Sequence, residues 1–375
     1  MGAFNDSLRA MLHFERPATL CQFEWGYWPE TVARWRREGM PAGVPPGGQP
    51  SHGEPWDAVG ITYYHRVPVE ARIFPHFETK VLSETATTKI VQDWQGVIQE
   101  VPRDGSTTFP HFIRHPVRDM LDFEAVRGRL SAHDPHRFPP DWADQARRLA
   151  SRNSILVMGG TEISFFGWHR DLMGLENLMM AYYDQPELVH AISRQHLDFL
   201  KELYAKVLHD VTFDFIFCWE DMSYKNGPLI SPALVREFML PYYAELVDFF
   251  RQFGDYKFLL DSDGDVAQLI PLFMEVGIDG MLPFEVAAGM DVVRVAEQYP
   301  RLILSGGIDK REIAKGRRAI DRELERVLPP LFRRGGYLPS MDHHVPPEVS
   351  YDDFRYYVRR VHELYERHGA PRGAG

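Results

Sequence analysis

The chain has 375 residues, room for about two to three domains of ~150 residues or for one closed α/β barrel. Hydrophobic residues make up 44% and charged residues 25%, a globular composition that argues against wholesale disorder. Lys+Arg number 42 against 53 Asp+Glu, a formal net charge of −11, which disfavours a nucleic-acid or anionic-membrane binder. No stretch approaches the ~18 apolar residues of a membrane span. Arg9, His13, Glu15 and Arg16 interrupt any apolar run at the N-terminus, so no signal peptide is expected. Cys21 and Cys218 both sit in apolar segments, which gives neither a disulfide framework nor a CxxC. A reduced, cytoplasmic protein is expected.

The opening reads as a helix with Leu8, Met11 and Leu12 on its apolar stripe, Asn5, Asp6 or Ser7 as its cap and Pro17 as its stop. Residues 18–25 form a buried strand and 31–37 a helix. The stretch 41–55 is rich in Gly and Pro and reads as loop. From about 56 to 120 the texture is β-like, in short runs at 61–64, 80–83, 88–92 and 96–101. A hairpin is expected at the turn Asp93-Trp-Gln-Gly96. This region is expected as an antiparallel insertion beside the main fold.

From 141 onward short apolar strands alternate with amphipathic helices. Strands are expected at 154–159, 213–219, 257–260, 280–284, 302–305 and 337–340. Helices are expected at about 175–183, 186–209, 232–253, 266–276, 292–298, 311–334 and 351–368, with a disordered tail at 369–375. The pattern specifies a parallel sheet with helices outside. It supplies seven strands, and an eighth, hidden near 112–140 or in the insertion, would close a (β/α)8 TIM barrel with an N-terminal antiparallel β insertion. Residues 1–368 then form one domain. An open doubly wound sheet is the rival, but there is no GxGxxG after the first strand and no GxxxxGK[ST] anywhere.

In such a barrel the chemistry sits at the C-terminal ends of the strands. Those ends offer Glu24, Trp25 and Tyr27, then Gly159 to Thr161 with Trp168 and His169 close behind. They go on to Glu220 and Asp221, Asp261 and Asp263, Glu285, Gly306 and Gly307, and Asp342 with His343 and His344. Any one acid in a strand–helix loop is more simply a helix cap, and Asp265 suits that role. The argument rests on several acids converging with His343. The run Asp261-Ser-Asp-Gly-Asp265 is no calcium loop, because its Gly is fourth rather than sixth and its twelfth residue is Leu272. Asp261 and Asp263, completed by Asp342 or His343, suit Zn²⁺, Mn²⁺ or Fe²⁺. Otherwise the same acids bind a cationic substrate or transfer protons. His111 and His115 are pocket candidates or ordinary hydrogen-bonding residues. Trp25, Tyr27, Trp28, Trp168 and Trp219 either stack on a planar or methylated ligand or pack the core.

The run Glu220-Asp-Met-Ser-Tyr-Lys-Asn-Gly-Pro-Leu-Ile-Ser-Pro232, followed by Phe238 to Tyr243, resembles the uroporphyrinogen decarboxylase superfamily. Trp28-Pro-Glu30, Gly174 to Leu178, Asp263-Gly264, Gly306-Gly307 and Pro346 to Val358 carry the same resemblance, over about 1–30 and 150–368. It implies a (β/α)8 barrel with its cleft at the strand C-termini. True uroporphyrinogen decarboxylases carry an arginine pair at the end of the first strand to grip substrate carboxylates. Gln22 and Gly26 stand at the matching positions, so tetrapyrrole decarboxylation is not expected. The corrinoid-linked methyltransferase branch has a zinc motif His-x-Cys-Gly with a distant cysteine. Asp261-Ser-Asp263-Gly264 and Asp342 match it with oxygen ligands in place of thiolates.

The resemblance thus implies an enzyme on a small organic substrate. The favoured reading is metal-assisted methyl transfer or demethylation with a corrinoid protein as partner. In it the metal at Asp261, Asp263, Asp342 and His343 polarises the donor oxygen, and Glu220 or His169 manages a proton. Glu24, Trp25, Tyr27, Trp168, Asp221 and Glu285 are the expected substrate-binding residues. Decarboxylation of a small carboxylic acid, with an acid or His343 protonating the carbanion, is the alternative. A non-catalytic small-molecule binder on the same barrel is a third.

Overall fold

The computed structural model describes residues 3–41, 61–62, 64–104, 110–152 and 154–369. In chain order the strands are β1 (Tyr64–Arg66), β2 (Lys80–Glu84), β3 (Thr88–Gln92), β4 (Ile98–Pro102), β5 (His111–Arg114), β6 (Ile155–Gly160) and β7 (Phe215–Trp219). They continue as β8 (Ser223–Tyr224), β9 (Gly227–Pro228), β10 (Phe258–Asp261), β11 (Gly280–Leu282), β12 (Ile303–Ser305) and β13 (Tyr337–Leu338). Strands β6, β7 and β10 are nearly unbroken apolar runs, as strands covered on both faces require. They lie inside a seven-stranded sheet ordered β1-β6-β7-β10-β11-β12-β13. Each pairing in it is parallel. Parallel neighbours need crossovers, and helices such as Pro186–Asp210, Leu240–Arg251 and Arg317–Arg334 supply them.

The extended segment 20–27 bridges the two edges of this sheet. On one side Thr62 N donates to Gln22 O (2.8 Å). On the other, Phe23 N donates to Pro339 O (3.3 Å) and Val345 N to Gly26 O (2.9 Å). The sheet is therefore curled into a barrel-like α/β fold, with its strand C-termini on one face. Glu24 locks the bridge to the C-terminal helix Tyr351–His368. Tyr357 OH donates to Glu24 Oε1 (2.7 Å) and Met341 N to Oε2 (3.1 Å). Burial outweighs these hydrogen bonds and pushes the Glu24 carboxyl up to about 8.

The hidden strand is β1, at the start of the stretch expected as insertion. The antiparallel part holds, as a sheet ordered β2-β3-β4-β5. Its central hairpin turns at Asp93, whose Oδ1 accepts from Gln95 N and Val97 N (both 2.9 Å). Residues 56–60 and 105–109 lie outside the described residues. So do 42–55 of the expected loop and 370–375 of the expected tail. Segment 18–24 forms no regular strand, and the chain bends at residues 18 and 19. The first helix runs Ala3–Leu12, so Asn5, Asp6 and Ser7 lie within it rather than cap it.

The expected helix at 232–253 is split into Pro232–Phe238 and Leu240–Arg251. Pro241 has no N–H to give the preceding turn. The helices expected over 311–334 are Lys310–Ile313 and Arg317–Arg334, parted at Gly316, whose φ is 84°. Helices Met120–Arg127, Trp142–Ala150 and Phe166–Met173 were not anticipated. No described helix is long and apolar enough to cross a membrane.

Glu24 yields a stability prediction. Its folded pKa of about 8 exceeds the ordinary value of 4.5, so the folded chain holds a proton that the unfolded chain has lost. The stability from neutral Glu24 is complete below pH 4.5 and is lost as pH rises to about 8. The slope is at most about 1.4 kcal/mol per pH unit. Glu24→Gln is expected to lose less stability than wild type between pH 5 and pH 8, read from urea unfolding. Parallel stability curves for the two proteins would contradict this.

Candidate functional site

A cavity of about 420 Å³ opens at the C-terminal ends of the parallel strands. Trp25 and Trp28 come from the bridging segment, Arg66 from β1, Arg72 from the loop after it, and Gly160 and Thr161 from the end of β6. Phe217 and Trp219 lie in β7 and Asp221 just after it, Asp261 ends β10 and Asp263 follows it, and His343 and His344 follow β13. Trp25 lies parallel to Phe217 with ring centroids 5.6 Å apart, and its Nε1 donates to Ser305 Oγ (3.0 Å).

One wall is acidic. Asp221 adopts φ 44°, a left-handed conformation that is strained for a residue other than glycine. Its N donates to Asp261 O (3.1 Å), and Arg170 Nη1 donates to its carbonyl (2.8 Å) and its Oδ2 (3.1 Å). Asp261 and Asp263 would point to opposite faces of a regular strand. Here β10 ends at Asp261 and the chain turns at Gly264, with φ 81°, so both line the cavity. A Cβ at Gly264 would sit 2.7 Å from Tyr224 O, so the turn admits only glycine. Between the two acids, buried Ser262 faces away and its Oγ accepts from Met222 N (3.0 Å). Asp261 is half-buried by area, with its carboxyl enclosed. That enclosure, then the charges of Asp263 and Asp221, hold its pKa well above the usual carboxylate range.

Donor atoms of Asp263, Glu285 and His343 lie within 4.8 Å of one another. Asp263 Oδ2 is 3.3 Å from His343 Nε2, and this hydrogen bond raises the His343 pKa. Glu285 Oε2 also accepts from Gly264 N (3.2 Å), and its Oε1 is 3.5 Å from Lys310 Nζ. Asp342, expected as a ligand, is turned elsewhere. Its Oδ2 accepts from Val286 N (2.9 Å), and its Oδ1 accepts from Lys310 N (3.1 Å) beside the Lys310 ammonium. Asp261 also lies outside the three-donor group, although it faces the same cavity. His343 joins the group and Asp342 does not, because both Asp342 oxygens are taken up by backbone N–H donors.

Several expected site residues lie elsewhere. Glu220, expected as catalytic, is a buried brace. Phe165 N (2.8 Å) and Tyr243 OH donate to its Oε1, and Gly167 N (2.8 Å) to its Oε2. His169 is buried in the helix Phe166–Met173 and bonds Ser193 Oγ (3.0 Å), and burial lowers its pKa to about 3. Glu24 is spent on the barrel bridge. Tyr27 packs on Trp35 and Phe354, and Trp168 stacks on His196 at 4.4 Å. His111 is exposed beside Glu100, and His115 bonds Asp171 O (3.1 Å). Trp25 and Asp221 do line the cavity, and Glu285 joins Asp263 and His343.

Arg66 and Arg72 were missed because the strand that carries Arg66 was hidden in the stretch read as insertion. His344 packs so closely on Gly26 that a Cβ there would lie 2.4 Å from its Nε2. Burial and neighbouring His343 lower the His344 pKa to about 4.

A barrel-like α/β fold with a polar cleft at its strand ends is an enzyme architecture. The chain belongs to the uroporphyrinogen decarboxylase family, whose model, Uroporphyrinogen decarboxylase (URO-D), matches residues 104–364. Among solved structures it is similar to a methyltransferase from Methanosarcina mazei, at 13% identity and TM-score 0.57, over 97% of this chain and 100% of that one. At that identity the likeness is one of fold. No curated relative matches the sequence at a significant level.

Within this family the chain is not a true uroporphyrinogen decarboxylase. Gln22 is fully buried, Gly26 is covered by His344, and three aspartates face the cavity. The end of the first strand therefore offers no guanidinium fork to a carboxylate, and the cavity's two arginines, Arg66 and Arg72, come from β1 and the loop after it. Incubation with uroporphyrinogen is expected to form no coproporphyrinogen above background; formation at an ordinary enzymatic rate would contradict the reading.

Proposed function

We propose that the protein is a metal-assisted enzyme of the methyl-transfer or demethylation type, acting on a small organic molecule with a corrinoid protein as partner. With segment 20–27 counted as the eighth strand, the fold reads as a (β/α)8 barrel with its cleft at the strand C-termini. The observation that carries the proposal is the meeting of Asp263, Glu285 and His343 at that cleft. Two carboxylates and one imidazole suit Zn²⁺, Mn²⁺ or Fe²⁺. The 3.3 Å between Asp263 and His343 is close to the ~3.4 Å that separates tetrahedral ligands with bonds of ~2.1 Å.

When bound there, such an ion supplies Lewis-acid polarisation of the donor's oxygen. The remaining steps belong to the chain's own residues. Trp25, Phe217 and Trp219 wall the cavity and exclude water from the substrate. Asp221, held by Arg170, orients it. The donor's C–O bond breaks with its electron pair left on oxygen, and Asp261, kept neutral by burial, delivers a proton there. A cavity of about 420 Å³ suits a small molecule and does not admit a corrin macrocycle. The methyl acceptor therefore belongs to a partner that docks over the mouth.

Neutral Asp261 in an aromatic-walled cavity also favours a second reading, decarboxylation of a small acid. In it the same carboxyl protonates the carbanion left by CO₂.

Metal is tested first. Reconstituted protein is expected to hold one equivalent of Zn²⁺, Mn²⁺ or Fe²⁺. Asp263→Ala and Glu285→Ala should lose it at least tenfold more readily, while Asp261→Ala keeps it. No stoichiometric metal in wild type, or full retention in both of the first two variants, would sink the site. Activity is tested with methyl ethers and methylamines plus cob(I)alamin, followed by the absorbance of methylcobalamin. A release of CO₂ from small acids without methyl transfer would select the second reading.

A further inference from the structure

The same cavity is lined by two arginines that none of the chemistry above uses. Arg66 lies at the C-terminal end of β1, and Arg72 follows six residues later; both line the cavity. Gly160 makes room for the first of them. An added Cβ at Gly160 would lie 3.0 Å from Arg66 Nη1 and 2.9 Å from Glu162 Oε2, so a glycine on the neighbouring strand lets the guanidinium reach across it.

Arg72 is held through both its guanidinium and its backbone. Its Nη2 is 3.6 Å from Glu162 Oε2, and its guanidinium lies over the Trp94 ring at 5.6 Å. Its own carbonyl accepts from Arg137 Nη1 (2.8 Å), and the same guanidinium also bonds the carbonyls of Glu70, Arg129 and Ser131. Arg137 is thereby buried with its donors satisfied, and it fixes the loop that presents Arg72. Glu162 is one carboxylate beside two guanidiniums. Asp171, which also faces Arg72, is driven toward its neutral form by burial. Glu70 is a further carboxylate here, its Oε1 accepting from Arg72 N (2.9 Å).

We infer that Arg66 and Arg72 form an anion subsite, and that the substrate is a small organic carboxylate that presents its reacting oxygen to the Asp221, Asp261 and Asp263 wall. This rests on the reading of the cavity as the active site and adds a substrate class and an orientation to it. Guanidinium forks match carboxylate geometry. Of the groups that line the cavity of ~420 Å³, only Arg66 and Arg72 offer guanidinium forks, so a carboxylate is held at that end. The grip sits on β1 and the loop after it, where the first strand offers only Gln22 and Gly26. A phosphate dianion meets more repulsion from the acidic wall than a monoanion does.

The test is calorimetry on chelator-treated, metal-free protein, with 4-hydroxybenzoate, 4-hydroxybenzamide and phenyl phosphate as probes. The acid is expected to bind at least tenfold more tightly than the amide and more tightly than phenyl phosphate. Arg66→Gln and Arg72→Gln should each weaken the acid at least fivefold and leave the amide unchanged, with Arg72→Lys intermediate. Thermal unfolding checks each variant, and partly exposed Arg72 carries the test if Arg66→Gln does not fold. Equal binding of acid and amide, binding of neither, tighter binding of phenyl phosphate, or wild-type affinity in both glutamine variants would each overturn the inference. Metal content, measured separately on wild type, scores the metal reading without touching this result.

Discussion

The parallel alignment of the seven paired strands is the constraint on which the rest of the molecule depends. Strands that run one way deliver all their C-terminal ends to one face, so residues more than 250 positions apart in sequence come to share one cavity. Trp25 and His343 meet there only because segment 20–27 closes the gap between β1 and β13. The closure rests on a short list of groups. Three backbone hydrogen bonds hold the segment, and neutral Glu24 ties it to Tyr357 and Met341. Loss of that tie would loosen the wall that carries Trp25 and Trp28 before it disturbed the strands themselves.

The cavity holds both basic and acidic groups. Arg66 and Arg72 line it together with Asp221, Asp261 and Asp263 and with the rings of Trp25, Trp28, Phe217 and Trp219. Burial first, and then the charges of Asp263 and Asp221, raise the pKa of Asp261, while Asp263 lies 3.3 Å from the His343 ring nitrogen. Two neighbouring acids thus meet different surroundings, one enclosed and one beside an imidazole, without any difference in side-chain type. A proton donor and an ion-pairing or ligating group are available within three residues of chain.

The buried acids away from the cavity show the structural use of the same residue types. Glu220 gathers two backbone N–H groups at the start of a helix together with Tyr243 OH, and Asp342 does similar work for Val286 and Lys310. Both sit at strand ends, where the sequence makes them look functional. An unmet N–H at a helix start is costly when buried, and a carboxylate is an efficient partner for it. Strand-end acids therefore divide into braces and site groups according to which donors they face.

The sequence by itself determined the alternation of apolar strands and amphipathic helices after residue 141, the antiparallel hairpin about Asp93 and Gly96, and the acids at the ends of the parallel strands. Those features follow from local periodicity, turn chemistry and residue type, which are written in consecutive residues. It also placed Asp263 and His343 at one site, since Gly264 marks the turn that brings Asp263 round. The tertiary structure alone decided that Glu285 joins them, that Asp342, Glu220, Glu24 and His169 do not face the cavity, and that Arg66 and Arg72 do. The strand β1 has only three residues, too few for a periodic signal, so its arginine was invisible until its neighbour β6 defined it. Whether a carboxylate faces a backbone donor or an open cavity depends on partners tens to hundreds of residues away, and no local pattern carries that information.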